Sequence, residues 1–369
     1  MPDMIPGMNR RVLLIGLAGV ATASGGAIAA WRASTGSMAE YGAYCARLRA
    51  EPASADVADL IRLATLAANS HNTQPWRFRI GNHAIAILPD LARQTPAVDP
   101  DDHHLFVSLG CAATNLSIAA AASGRIGEIE IAPDGAGVRY QFTEAAPRPE
   151  PLLGAITKRQ STRTDYDGRM VGAADLAALQ AAAELPGVNL VLVTERPQMA
   201  RIRDLVIAGN TAQMDDPAFM RELKHWLRFN PRSAMATGDG LFSAASGNPS
   251  LPTPLGRLAF DRLFNAASEN DKYARQIDSS AGVAIFIGDE ADRTHWIRVG
   301  QACQRFALEA TRRGLKLAFI NQPVEVARLR PELGALIGTT KRPDLVLRFG
   351  YGPALPYAPR RPVDDVLGS

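Results

Sequence analysis

The chain has 369 residues, 47% hydrophobic and 21% charged, with 40 Lys and Arg against 37 Asp and Glu and a formal net charge of +3. This length can bury a large core divided between two units, and the composition excludes a disordered chain. The slight positive balance, without a basic run interleaved with aromatics, excludes a nucleic-acid footprint and suits an anionic small ligand.

The first readable element is Asn9-Arg10-Arg11-Val12-Leu13-Leu14, which opens an apolar stretch ending near Ala30. An arginine pair before such a stretch predicts an export signal over residues 1–31, of the twin-arginine type, and a periplasmic location. The alternative is a membrane anchor over residues 12–30, which is long enough to span a bilayer. Gly16, Gly19, Thr22, Ser24, Gly25 and Gly26 make that run weakly apolar, which favours export.

Beyond the signal the pattern predicts a helix over Val57–Ala67, then a polar loop, Asn69-Ser70-His71-Asn72-Thr73-Gln74-Pro75-Trp76. A strand follows at Ala84–Leu88. Asp99-Pro-Asp-Asp-His-His104 reads as a solvated acidic loop, because no spaced partner ligands support a metal. An Ala-rich helix opens at Gly110 and closes at Gly124, with strand alternation at Ile126, Ile129 and Ile131. Ala145–Pro151 is Pro-rich and reads as a linker. Strands are predicted at Val188–Val193, Gly282–Ile287 and Leu345–Phe349. Segment 210–280 is rich in Pro, Gly, Ser and Met, with helical pieces at Phe219–Phe229 and Leu255–Ala267, and reads as a lid. Cys45, Cys111 and Cys303 form no CxxC pair, and Cys111 and Cys303 sit in apolar helical runs as small core residues.

A second Ala-rich helix runs from Gly300 to Gly314 and leads into alternation at Leu315, Leu317 and Phe319. It matches the first in its glycine spacing and in the apolar run before it, His104–Val107 in one and His295–Ile297 in the other. This repeat predicts an internal duplication, with half one at about 40–150 and half two at 151–369. Strands and helices do not alternate regularly, so the fold class is α+β: a mostly antiparallel sheet flanked by helices.

Two segments carry candidate chemistry. The Asn-rich loop offers donors and acceptors at close quarters, as the polar edge of a flat ring requires, although an ordinary turn uses the same residues. In Arg159-Gln160-Ser161-Thr162-Arg163, extended backbone points Arg159, Ser161 and Arg163 the same way, which suits a phosphate. A solvated basic strand shows the same pattern. There is no Gly-x-Ser-x-Gly elbow, P-loop or Gly-x-Gly-x-x-Gly, so hydrolase, NTPase and Rossmann readings lack support.

Together the two segments resemble the nitroreductase superfamily of FMN enzymes, whose members are homodimers with a flavin at each shared interface. Here the Asn-Ser-His-Asn-Thr-Gln-Pro-Trp loop occurs only in half one and the Arg-x-Ser-x-Arg segment only in half two. Complementary loss of this kind resembles the Acg-type branch, with two nitroreductase-like halves fused into a pseudo-dimer. The resemblance implies one FMN, with Arg159 and Ser161 on its phosphate and Arg163 near the ring. Asn69, Ser70 and Asn72 would contact the ring edge or ribityl chain, and the backbone of Asn321 and Gln322 would lie at the far edge. The tail arginines Arg360 and Arg361 supply a further phosphate contact. His71 is either a proton donor or a turn cap. The implied activity is an FMN-dependent oxidoreductase passing electrons from NAD(P)H or another donor to a small-molecule acceptor, with no catalytic side chain and no metal required. The alternative is an FMN storage protein. The fused halves predict a monomer.

Overall fold

The computed structural model describes residues 31–51 and 56–368. The predicted signal, residues 1–31, therefore lies outside the described residues apart from Trp31, as does the alternative anchor over 12–30.

Helix α1, Met38–Leu48, begins at a capping box in which Ser37 and Glu40 satisfy each other's backbone N–H. Helix α2, Val57–Thr65, begins at Asp56, whose carboxylate accepts from the Asp59 N–H. Four strands of half one follow: β1 (Trp76–Gly81), β2 (Ala84–Pro89), β3 (Arg125–Ile131) and β4 (Val138–Glu144). They form an antiparallel sheet in the order β1-β2-β4-β3. Helix α3, His103–Ala122, connects β2 to β3.

Half two repeats this plan. Helix α4 (Ala173–Ala182) precedes β5 (Val188–Val193), and helices α5 (Arg196–Met214), α6 (Pro217–Trp226), α7 (Pro231–Thr237), α8 (Thr253–Leu263) and α9 (Ala266–Asp278) follow. Among them the two-residue strands β6 (Leu227–Arg228) and β7 (Leu241–Phe242) pair in parallel. Then come β8 (Gly282–Gly288), helix α10 (Arg293–Arg312), β9 (Lys316–Phe319) and β10 (Leu345–Gly350). Their order, β5-β8-β10-β9, is that of half one, and every pair is antiparallel. First and second strands are joined in half one by a tight turn at Asn82 and His83, and in half two by the five helices α5–α9. The fold is thus α+β and internally duplicated.

The long helices α3 and α10 cross at the centre, and glycine is what lets them. A Cβ on Gly110 would lie 1.9 Å from the Ile297 carbonyl oxygen, and one on Gly300 would lie 2.0 Å from that of Val107. Both glycines were expected to open their helices. They lie inside them, because each helix starts earlier, at His103 and Arg293, and the apolar runs read as preceding segments are their first turns. The closing glycines behave as expected: Gly124 (φ 86°) and Gly314 (φ 76°) take the left-handed conformation just past each helix end. α3 is long and apolar enough to cross a bilayer, but it is buried on all sides in the protein core. Cys111 and Cys303 are buried and free, as core residues, and so is Cys45.

β8 and β10 are buried along their whole length, because α10 covers one face and α5 and α9 the other. The predicted helix over Leu255–Ala267 is two helices. Asn265 ends the first and caps the second, accepting from the Ser268 N–H. The tail crosses back to half one, where Leu367 bridges Phe78 of β1, and within half two Ser161 bridges Leu317 of β9.

Candidate functional site: a guanidinium-lined cavity between the halves

α2 ends pointing its last carbonyls at two arginines. Arg159 Nη2 donates to the Leu66 oxygen at 3.0 Å. Arg360 Nε donates to Thr65 at 2.6 Å, and its Nη2 to Ala67 at 3.1 Å. Unpaired carbonyls at a helix C-terminus carry partial negative charge and steady a buried cation without neutralising it.

The polar loop continues from there under strain. His71, Asn72 and Gln74 have φ of 46°, 54° and 53°, a left-handed conformation that costs non-glycine residues about 1 kcal/mol or more each. Other segments hold it in place. Asn72 Nδ2 donates to the carbonyls of Gly240 and Pro359, both at 3.0 Å. Gln74 Nε2 donates to Gly238 at 2.8 Å, and its Oε1 accepts from the Arg361 N–H at 2.9 Å. Asn69 Oδ1 accepts from the Gln74 N–H at 2.9 Å. The loop is thereby fastened to the long connection of half two and to the tail.

These segments surround a cavity, partly open to solvent, whose wall includes Arg49, Asn69, Asn72, Arg159, Gln160, Ser161, Arg163 and Arg360. Gly240, Leu241, Phe242 and Ser246 complete it. No Asp or Glu lines it, and none of its four arginines has a carboxylate within ion-pairing distance among the described residues. Burial pushes all four guanidinium pKa values down. Arg49, lowered to about 10, is further depressed by Arg159, and Arg360 by Arg49 and Arg159. Arg159 Nε and Nη1 are buried and meet no hydrogen-bond partner. A dry cluster of like charges with unused donors is a site for an anion.

Six of the ten sequence-predicted residues meet here: Arg159, Ser161, Arg163, Asn69, Asn72 and Arg360. Four do not line the cavity. Ser70 donates its backbone N–H to Ser108 Oγ at 3.4 Å. Asn321 uses its Oδ1 to accept from the Val346 N–H at 2.9 Å, pinning β10. Gln322 is buried against Gly209. Arg361 turns to the other side of the tail, where Asp90 lies 3.9 Å away.

The Asp99–His104 segment is not a solvated acidic loop. Asp99, His103 and His104 are all buried. Asp99 caps α3, accepting from the His104 and Leu105 N–H groups at 3.0 Å each. His103 Nε2 lies 3.0 Å from Asp344, and His104 Nε2 lies 3.5 Å from Glu325. Burial opposes the charged His104, but the Glu325 hydrogen bond and the charges of Asp99 and Glu325 together outweigh it and raise its pKa. Burial likewise opposes ionised Glu325, and the hydrogen bond and charge of His104, with the Gln213 hydrogen bond, together hold its pKa low. The long-range partners Asp344 and Glu325 give the two histidines an interior place that local composition does not signal, while Pro100 and Asp101 stay exposed. Burial drives the pKa of neighbouring His71 down to about 4, so His71 is neutral at ordinary pH.

Sequence reasoning missed three contributors. Arg49 lies just past α1 as an isolated cation with no motif around it. The backbone turn at Gly240 was hidden in the connection between β5 and β8. Arg348, fully buried on β10, donates to the carbonyls of Thr162 at 3.2 Å and Thr164 at 2.8 Å, and so fixes the Arg159–Arg163 segment.

No family model matches the chain. A protein of Mycobacterium tuberculosis strain H37Rv named "Putative NAD(P)H nitroreductase Rv3131" is 28% identical over 327 residues, which cover 86% of this chain and 92% of that protein. Another from the same strain, "Putative NAD(P)H nitroreductase acg", is 23% identical over 322 residues, 83% of this chain and 93% of that one. Among solved structures, the FMN-dependent nitroreductase NfnB of Mycobacterium smegmatis in complex with NADPH aligns with a TM-score of 0.41 at 13% identity, over 59% of this chain and 97% of that chain. By sequence, this chain is similar over more than four-fifths of its length to Acg-type proteins of the nitroreductase superfamily.

Proposed function

We propose that this protein is an FMN-dependent oxidoreductase of the nitroreductase type, with one flavin held where the two halves meet. The observation that carries the reading is the cavity wall: the buried Arg159 and Arg360 and the half-buried Arg49 and Arg163, none ion-paired among the described residues, beside the strained Asn69–Gln74 loop. The named relatives point the same way. Arg159, with two buried unpartnered nitrogens, fits a terminal phosphate, and Ser161 and Arg360 adjoin it. Arg163 brings a cation to the same cavity, the charge that favours an anionic reduced ring. Asn69 and Asn72 offer hydrogen bonds to the polar groups of the ligand. When bound, FMN supplies hydride and electron transfer, from NAD(P)H or another donor to a small-molecule acceptor. The protein's part is binding, orientation and exclusion of water, and no proton-transferring side chain is assigned.

A second reading, FMN storage, is favoured by one feature: Gly240, Leu241, Phe242 and Ser246 wall the cavity and would restrict access to a bound ring. Both readings place the protein outside the cytoplasm as a monomer, exported by its arginine-pair signal. The deciding measurement is the visible spectrum of the purified chain before and after anaerobic NADPH. About one FMN per chain that bleaches supports the oxidoreductase, and a flavin that stays oxidised supports storage. No flavin, even after FMN is added, overturns both.

A further inference from the structure

Arg49 follows α1, outside the loop, the Arg159–Arg163 segment and the tail that supply most of the wall, yet it completes the cationic side of the cavity. Its Nη1 donates to the carbonyls of Thr157 at 2.8 Å and Arg159 at 3.2 Å. Its guanidinium also stacks on Tyr357 of the tail, 3.8 Å from the ring centroid. The rest of α1 is fastened to the same tail. Tyr41 OH donates to the Tyr357 carbonyl at 2.7 Å, Tyr44 OH donates to that of Arg360, and Tyr41 packs on Phe242 with ring centroids 4.4 Å apart. What α1 brings to this neutral packing is a half-buried positive charge set against two buried ones. Burial lowers the pKa of all three, Arg159 depresses those of Arg49 and Arg360 further, Arg49 adds to the depression of Arg360, and no carboxylate lies among them. Repulsion within a low-dielectric cluster works against docking of α1 until an anion enters.

We propose that Arg49 is a direct ligand of the bound phosphate, and that the dianion clamps α1 onto the tail, so that α1 docks fully only when the site is loaded. The inference rests on reading this cavity as the phosphate end of a flavin site. It adds a residue outside the Arg159–Arg163 segment, and a conformational consequence of binding.

The test compares FMN with riboflavin, which lacks the phosphate, on the full chain stripped of ligand. Arg49→Gln is expected to weaken FMN binding about ten- to hundred-fold, as loss of one charge-assisted contact does, and to leave riboflavin binding unchanged. Arg49→Lys is expected to recover part of the loss. In the unsubstituted protein, hydrogen exchange over residues 38–48 is expected to slow on adding FMN or inorganic phosphate, and not on adding riboflavin. Equal FMN affinity in the unsubstituted and Arg49→Gln proteins overturns the inference while leaving the flavin reading intact. If Arg49→Gln fails to fold, exchange over 38–48 that ignores both phosphate and FMN overturns it. If no flavin binds but phosphate still slows that exchange, the flavin reading fails and the anion clamp stands.

Discussion

Gly110 and Gly300 stand at corresponding places on α3 and α10, and each presses its bare Cα against the other helix's backbone. The contact is reciprocal, with Gly110 facing the Ile297 carbonyl and Gly300 facing that of Val107. The same crossing carries Cys111, whose thiol donates to the Gly300 carbonyl at 3.2 Å, and the Gln304 amide, which donates to Asn115 Oδ1 at 2.7 Å. Gln304 Oε1 in turn accepts from the Ala68 N–H at 3.2 Å, at the edge of the cavity. The pseudo-two-fold centre and the candidate site are therefore parts of one packed unit.

Gly110→Ala and Gly300→Ala should each destabilise the protein by about 3 kcal/mol, the upper end for overpacking, because the obstacle is backbone and cannot rotate away. The double substitution should cost less than the sum, since separating the helices once relieves both clashes. Urea denaturation of the three variants is the check. A loss below about 1 kcal/mol in either single variant would show the crossing to be compliant.

Arg159→Met should move stability and binding in opposite directions. Removing a buried, incompletely hydrogen-bonded guanidinium for an apolar side chain should raise the stability of the ligand-free protein by about 1–3 kcal/mol. FMN affinity should fall at least tenfold. Arg361→Ala should leave FMN affinity within about twofold, because that side chain faces Asp90. Thermal unfolding and flavin fluorescence titration on the same samples report both quantities.

His71 gives the stability a pH dependence of defined sign. Burial lowers its pKa from 6.5 to about 4, with Arg163 and His104 adding to the shift and Glu325 and Asp99 opposing it. Between those values the unfolded chain binds the proton and the folded chain does not. The stability due to neutral His71 is therefore full above pH 6.5 and is lost as pH falls toward 4. His71→Asn, which tolerates the left-handed backbone, should flatten that fall by about 3 kcal/mol. An unchanged slope between pH 6.5 and 4 would show that His71 does not titrate there.

If the arginine pair is an export signal, replacing both Arg10 and Arg11 with Lys should keep the protein in the cytoplasm of its host. Fractionation with a carbonate wash also tests the anchor, which would leave the unsubstituted protein in the membrane pellet.

The sequence by itself determined what local chemistry can state. Strand periodicity located Val188–Val193 to the residue, and Gly124 and Gly314 marked both helix ends because only glycine takes that backbone without strain. The glycine repeat revealed the duplication, and the two half-specific segments identified five residues of the cavity wall, with Arg360 of the tail a sixth. Tertiary structure decided the rest, for one physical reason: charge and burial depend on what packs alongside. Asp99-Pro-Asp-Asp-His-His104 is polar by composition, yet His103 and His104 are interior, against Asp344 and Glu325 more than 200 residues away. Arg360 and Arg361 are adjacent and indistinguishable in sequence. Only the path of the tail sends one to the carbonyl end of α2 and the other to Asp90. Arg49 carries no local signal at all, and becomes part of the site because α1 folds back onto a tail some 300 residues further along the chain.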